Sequence, residues 1–317
     1  MAWNLDTDEL GFQVSVKGVS EAILSGKKKP TKRQFLSVIM SVYDPLGLLT
    51  PVTLSSRIVM QAVWRSGVKW DEKLRDEEHD IWKNWLKALE AARNYRVPRC
   101  LEPRTRSYTH VELHVFCDAS LEAYAAMAYA RFIDKDTVVG ISLIMSRARV
   151  APLKPLTIPR LELQAALLGA RLRDTLIKEL DFDFSRKVLW SDSTTVLHWI
   201  RNEPCTKQTY VAHRLGEIGD LTRANEWRWL PSRANPADKI TRWTWSNEES
   251  LAQWATVPAL LYQSEQSWPV EKALSANAKD EADRIEKRPA LVFHANLEEL
   301  PLTTVRRALG WKPSGGI

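Results

Sequence analysis

Four carboxylates stand in settings where an isolated acidic residue is costly to fold around. Asp118 closes an apolar run, His114-Val115-Phe116-Cys117-Asp118-Ala119-Ser120, and Asp192 closes another, Val188-Leu189-Trp190-Ser191-Asp192-Ser193. Glu162 opens a helical stretch, Pro159-Arg160-Leu161-Glu162-Leu163. Asp238 lies in Asn235-Pro236-Ala237-Asp238, after a third strand-like run. Two strand ends and two helix or loop positions can converge on one point of a sheet. Carboxylates gathered there repel one another unless divalent cations hold them. Mg²⁺ prefers carboxylate oxygens and retained waters, so a cluster of Asp and Glu without His or Cys suits it, with Mn²⁺ as an alternative. Two such ions would make a phosphoryl-transfer site, one activating water and the other stabilising the leaving oxygen.

The elements that must position these residues can be read from periodicity. A hairpin is expected over 3–17, with Val14 and Val16 alternating and Asp8-Glu9-Leu10-Gly11 as its turn. Thr31 can cap a helix carrying Phe35, Leu36, Ile39 and Met40, which Asp44-Pro45-Leu46-Gly47 breaks. Further helices are expected through Leu54–Trp64 and around 74–93. Residues 94–109, with Pro98, Pro103 and several arginines, read as an exposed linker. Strands follow at 111–117, 123–131 and about 137–147. A helix over 160–180 carries Leu161, Ala165, Leu168, Leu172 and Leu176 at i, i+4, i+7 spacing. A strand at 187–191, helices at 193–201 and about 208–221, a strand at Trp227–Leu230 and a helix from Ala237 to Trp243 complete the pattern. This order predicts an α/β fold, a mixed sheet with helices on its faces.

The bulk properties are those of a core-forming protein. The chain has 317 residues, 44% apolar and 26% charged. It holds no uncharged apolar window of about 18 residues, so no membrane partner is expected. Its N-terminus, Met1-Ala2-Trp3-Asn4-Leu5-Asp6, lacks the basic start and apolar core of a signal peptide. Three scattered cysteines have no metal-ligand spacing and suggest a reducing compartment. The net charge of +6 is uneven: counting Lys/Arg against Asp/Glu gives +5 over 1–106, +3 over 107–245 and −2 over 246–317. A polyanion would meet the first two segments.

Several segments in order resemble one family. HVFCDAS at 114–120, RARVAPLKPLTIPRLEL at 147–163, WSDSTTVLHWI at 190–200 and NPADKITR at 235–242 are similar to the ribonuclease H region of BEL/Pao-type retrotransposon polyproteins. Upstream, TKRQFLSVIMSVYDPLGLLTPV at 31–52 is similar to the segment that joins reverse transcriptase to that ribonuclease. The region is often filed as "Pao retrotransposon peptidase". The resemblance implies a ribonuclease H-like mixed five-stranded sheet over 107–245. A mainly helical reverse-transcriptase thumb- or connection-like segment and linker would precede it over 1–106, and a partly flexible extension would follow over 246–317. It implies an endonuclease that cleaves the RNA strand of RNA/DNA hybrids, with Asp118, Glu162, Asp192 and Asp238 as catalytic ligands of two Mg²⁺ ions. The polymerase part of the same Pol protein would be a partner, and the setting would be intracellular, a cytoplasmic retrotransposon particle or the nucleus. Residues 231–237, PSRANPA, lack the histidine that many ribonucleases H place before the last aspartate. No Tyr-x-Asp-Asp motif exists, so polymerase chemistry is absent.

Around the carboxylates, Ser120 and Ser193 would either touch backbone phosphates or cap local turns. Arg147, Arg149, Lys154 and Arg160 would either bind the hybrid backbone or lie as solvated surface. Trp190 and Trp199 read as packing residues. Two other functions stay open: a catalytically silent remnant that binds nucleic acid or serves as a scaffold, and an aspartic peptidase. The last requires Asp-Thr/Ser-Gly, and the nearest string, Asp192-Ser193-Thr194, has no glycine.

Overall fold

A computed structural model describes residues 1–12, 16, 18–104, 107–202, 207–242, 251, 254, 256–271, 284 and 286. Its centre is a mixed five-stranded sheet. In chain order the strands of the whole chain are β1 (Ala2–Asn4), β2 (Glu9–Gly11), β3 (Arg96–Pro98), β4 (His110–Ala119), β5 (Ala123–Asp134), β6 (Thr137–Val150), β7 (Phe184–Ser191) and β8 (Trp227–Trp229). The large sheet has the order β6-β5-β4-β7-β8, and β1-β2-β3 form a small separate one. β4, β5 and β6 make an antiparallel meander, whereas β7 and β8 run parallel to β4. The ribonuclease H-like α/β class expected from the motifs is therefore the architecture present.

The helices are α1 (Glu21–Leu24), α2 (Lys32–Met40), α3 (Thr50–Arg65), α4 (Asp76–Asn94), α5 (Ile158–Glu179), α6 (Thr194–Arg201), α7 (Thr209–Leu221) and α8 (Asp238–Thr241). Thr31 does cap α2, in a reciprocal box with Gln34. α5, α6 and α7 cover one face of the sheet and share a core with Val111, Leu113, Val115, Ala128 and Leu189. α5 lies unusually close to the central strand. A Cβ built on Gly169 would sit 2.2 Å from Cys117 Sγ, so only glycine permits this approach.

The opposite face is covered from elsewhere in the chain. Phe35, Val52, Trp82 and Trp85 of the N-terminal helices share a second core with Phe116, Met127, Tyr129 and Trp190 of the sheet, and with Trp254, Leu261 and Trp268. α3 is tied to the edge strand: Gln61 Nε2 donates to the Ala151 carbonyl at 2.7 Å, and Ser146 Oγ donates to Thr50 Oγ1 at 2.6 Å. The turn before α3 presses on the same strand. Gly47 has φ +70°, and any Cβ there would meet the Ser146 carbonyl oxygen at 2.0 Å. Trp190 is fully buried, donates to His114 Nδ1 at 3.1 Å and meets Trp268 at a centroid distance of 5.2 Å. It is a packing residue, as its spacing suggested.

Three expectations change. The boundary at 106/107 divides the chain but not the core, because the N-terminal helices need the sheet to bury their apolar faces. The stretch 94–109 is not wholly linker, since Arg96–Pro98 pairs with Glu9–Gly11. The first hairpin turns earlier than the Gly11 signal suggested: Glu9–Gly11 is strand, and Asp8 takes the left-handed conformation at φ 53°. Asp8 can do so because Arg99 and Trp3 hydrogen-bond its side chain, with Trp3 Nε1 at 3.0 Å. Val14 and Trp243 lie outside the described residues.

Candidate active site

The site forms at the C-terminal edge of the parallel strands, where chain-distant residues leave the sheet side by side. β4 and β7 stay in register through Cys117 and Ser191. Adjacent strands lie about 4.8 Å apart, so the next residues, Asp118 and Asp192, emerge as neighbours. Glu162 reaches the same edge from the first turns of α5. Asp118, Glu162 and Asp192 all line one cavity of about 680 Å³, together with Ser120, Ser232, Thr241 and Arg242. Ser55 and Ile58 of α3 line it too, so the N-terminal segment supplies part of the wall.

The electrostatics match a gathering of like charges. Asp118 is only 4% exposed. Burial, aided by the charges of Asp192 and Asp238, pushes its carboxyl up to about 7, while Thr241 and Arg242 pull the other way. Thr241 Oγ1 donates a short hydrogen bond to Asp118 Oδ2. Glu162 is also raised, first by burial and then by Asp192, against the hydroxyl of Ser193, which donates to Oε2 at 2.6 Å. Asp192 accepts from Ser232 Oγ, and its backbone carbonyl accepts from Trp229 Nε1 at 3.1 Å. Asp238 opens α8 and pairs with Arg242 at 2.9 Å. It does not line the cavity, but burial and Asp192 raise its carboxyl against the pull of Arg242.

The other expected site residues divide. Ser193 caps α6, accepting from Val196 N at 3.2 Å, and also orients Glu162, so it serves both the helix and the site. Ser120 is a turn residue: it accepts from Glu122 N and Ala123 N, each at 3.2 Å, and donates to the Thr241 carbonyl at 3.0 Å. Arg147 and Arg149 lie on β6 and line a different cavity. Lys154 is exposed in the loop before α5. Arg160 is withdrawn from the solvent-facing basic stretch. Its Nε and Nη2 donate to the Glu286 carboxylate at 2.6 and 2.8 Å, and Nη2 also to Gln208 at 3.0 Å, so an internal carboxylate already meets its charge.

Sequence reasoning passed over Thr241, Arg242, Ser232, Ser55 and Ile58. Arg242 carried a signal, standing four residues after Asp238 on one helix. Ser55 and Ile58 carried none, because tertiary packing alone brings α3 to the sheet edge.

Oxygen donors alone fill the cavity's acidic set, with no His or Cys among its lining residues, which fits a hard divalent cation. The raised carboxyls of Asp118 and Glu162 mark a site short of positive charge. As the side chains are placed, however, no three acidic, His or Cys groups among the described residues stand close enough to hold one ion. Hydroxyls of Thr241, Ser193 and Ser232 and the guanidinium of Arg242 occupy the carboxylates instead.

The family of Pao retrotransposon-like RNaseH-like domains matches residues 31–193, just over half of the chain. The match runs from the α2 cap to the α6 cap, thus α2, α3 and α4 as well as four of the five strands of the large sheet, and includes Asp118, Glu162 and Asp192. Asp238 falls outside it. Among solved structures, the N-terminal RNase H domain of a Mycobacterium tuberculosis protein, fused to maltose-binding protein, is 15% identical, with a TM-score of 0.29 over 46% of this chain and 99% of that one. RNase H1 of the halophilic archaeon Halobacterium salinarum is also 15% identical, with a TM-score of 0.27 over 42% of this chain and 94% of that one. No curated protein matches the chain.

Proposed function

The chain belongs to the family of Pao retrotransposon-like RNaseH-like domains, and on that footing we propose that it is an endonuclease hydrolysing the RNA strand of RNA/DNA hybrids. One observation carries the reading: three carboxylates, 30 or more residues apart in the chain, line a single cavity at the ends of parallel strands. Asp118, Glu162 and Asp192, with Asp238 behind them, would hold divalent cations, Mg²⁺ or Mn²⁺. Such ions, when bound, neutralise the phosphodiester, activate water and stabilise the departing oxygen. The protein's own share is positioning. β4 and β7 fix two carboxylates rigidly, the Ser193 hydroxyl aims Glu162, and the Thr241 hydroxyl aims Asp118. Ile58 and Ile240 provide apolar wall that strengthens electrostatics inside. Arg147 and Arg149, exposed on the edge strand, fit phosphates of the hybrid, which would be read by shape and 2′-hydroxyls rather than sequence. The polymerase part of a retrotransposon Pol protein is the proposed partner and an intracellular particle the proposed setting.

The test is cleavage of a labelled hybrid with Mg²⁺ by the wild-type chain and by Asp192→Asn. Cleavage by the wild type alone is expected; equal cleavage by both, or none by either, would sink the reading. A second reading, a silent remnant that retains nucleic-acid binding, is favoured by the occupied state of the carboxylates, since Arg242 and Thr241 stand where an ion would compete. Hybrid binding without cleavage at any Mg²⁺ concentration would select it.

A further inference from the structure

The cavity that Arg147 and Arg149 line contains a third guanidinium, and it comes from the other side of the 106/107 boundary. Arg57 of α3 joins them around a cavity of about 570 Å³, with Thr50, Thr53 and Tyr124 among its other lining residues. Arg147 and Arg149 stand two apart on β6 and so share one side of the edge strand. Thr50, Thr53 and Arg57 recur at i, i+3, i+7 and share one stripe of α3. All three arginines are exposed, and among the described residues none has a side-chain ion-pair partner. The lining includes one carboxylate, Asp44, but its oxygens are spent on the backbone N–H groups of Leu48 and Leu49, at 2.9 and 2.8 Å. Three cations therefore line the cavity against one carboxylate, and Asp44 forms an ion pair with none of them.

We infer that Arg57, Arg147 and Arg149 form a composite phosphate-binding pocket that grips the backbone of a nucleic acid beside the carboxylate cavity. Guanidinium forks suit phosphate oxygens bidentately, and the Tyr124 hydroxyl adds a neutral donor. The buried Thr50 and Thr53 hydroxyls donate to the Gly47 and Thr50 carbonyls and only shape the wall. A nucleic acid is favoured over an acidic protein because α3 walls both cavities: Thr50, Thr53 and Arg57 face this one, while Ser55 and Ile58 face the carboxylates. A polyanion lying across α3 would reach both at once. The inference rests on the nuclease reading for its choice of ligand, but makes a claim of its own: the N-terminal helices are part of the nucleic-acid interface and not merely a preceding segment.

The experiment is fluorescence anisotropy of a labelled RNA/DNA hybrid against the full chain in EDTA, so that binding is measured without cleavage, over a salt series. Each lost phosphate contact lowers the slope of log K against log salt by about 0.9. Arg147→Ala/Arg149→Ala is expected to lower it by roughly 2 and weaken binding on the order of tenfold to a hundredfold. Arg57→Ala should lower it by about 1, and Arg57→Lys should keep most of the slope, since the charge remains. Unchanged slopes in the alanine variants, or no hybrid binding by the wild type, would overturn the pocket. Arginine-dependent binding of an acidic peptide as tight as that of the hybrid would overturn its assignment to nucleic acid. Loss of cleavage in Asp192→Asn, or its absence in the wild type, leaves this outcome untouched because no turnover is read.

Discussion

Two cavities flank α3, and they handle charge in opposite ways. The first withdraws its carboxylates from water, with Glu162 and Asp192 half-buried and Asp118 only 4% exposed, its carboxyl pushed up to about 7. The second leaves Arg57, Arg147 and Arg149 at the surface, where water supports a guanidinium at little cost. A buried like-charge cluster is unfavourable until a cation fills it, so it is built to bind tightly and do chemistry. An exposed cationic cluster gives attraction that salt screens, so it is built to position a ligand. One helix serves both.

The strongest way to break this contrast is to exchange effects between the two. Asp192→Asn should remove several kcal/mol of barrier stabilisation, on the order of 10³-fold in kcat, with hybrid affinity nearly kept. Arg147→Ala/Arg149→Ala should raise KM with kcat nearly unchanged. Steady-state kinetics on the same hybrid would read both, and a kcat loss of 10³-fold in the arginine variant would abolish the distinction.

Next in size is a pH effect confined to the acidic cavity. Asp118 holds its proton to about pH 7 in the fold but only to its ordinary 3.8 in the unfolded chain. The folded pKa is the raised one, so its contribution is complete below pH 3.8 and is lost as pH climbs through about 7, a few kcal/mol in all. Urea denaturation of the metal-free protein between pH 4 and 8 should show that decline, and Asp118→Asn should flatten it. A decline of the same depth in both proteins would place the proton elsewhere.

Gly169→Ala tests the seating of the helix that brings Glu162. The added methyl would overlap Cys117 Sγ, costing about 1–3 kcal/mol, more than the roughly 1 kcal/mol that alanine gains in a helix. Pairing it with Cys117→Ala should recover much of the loss in a denaturation series. Smallest is Ser193→Ala, which removes the α6 cap and frees Glu162, at about 1 kcal/mol of stability. Activity should fall more than the arginine variants' kcat does, because only the acidic cavity is touched.

Much of the sheet was legible beforehand. The sequence located β4, β5, β6 and β7 to within three residues at each end, the apolar runs before Asp118 and Asp192 marking β4 and β7, and the α5 stripe located its helix to within two. Short elements were less legible. β3 was hidden by Pro98 and its arginines, because a three-residue edge strand carries no period of its own. Arg160 read as a free cation because its partner, Glu286, lies 126 residues away.

The sequence alone therefore determined which residues could do the chemistry and on which strand ends and helix turns they would stand, since periodicity and capping are local properties. Only the tertiary structure decided that α3 lies over the edge of the sheet, walls the carboxylate cavity and brings Arg57 to Arg147 and Arg149. That placement depends on burying Trp82, Trp85 and Val52 against Phe116 and Tyr129, a packing choice between distant segments that no local pattern encodes.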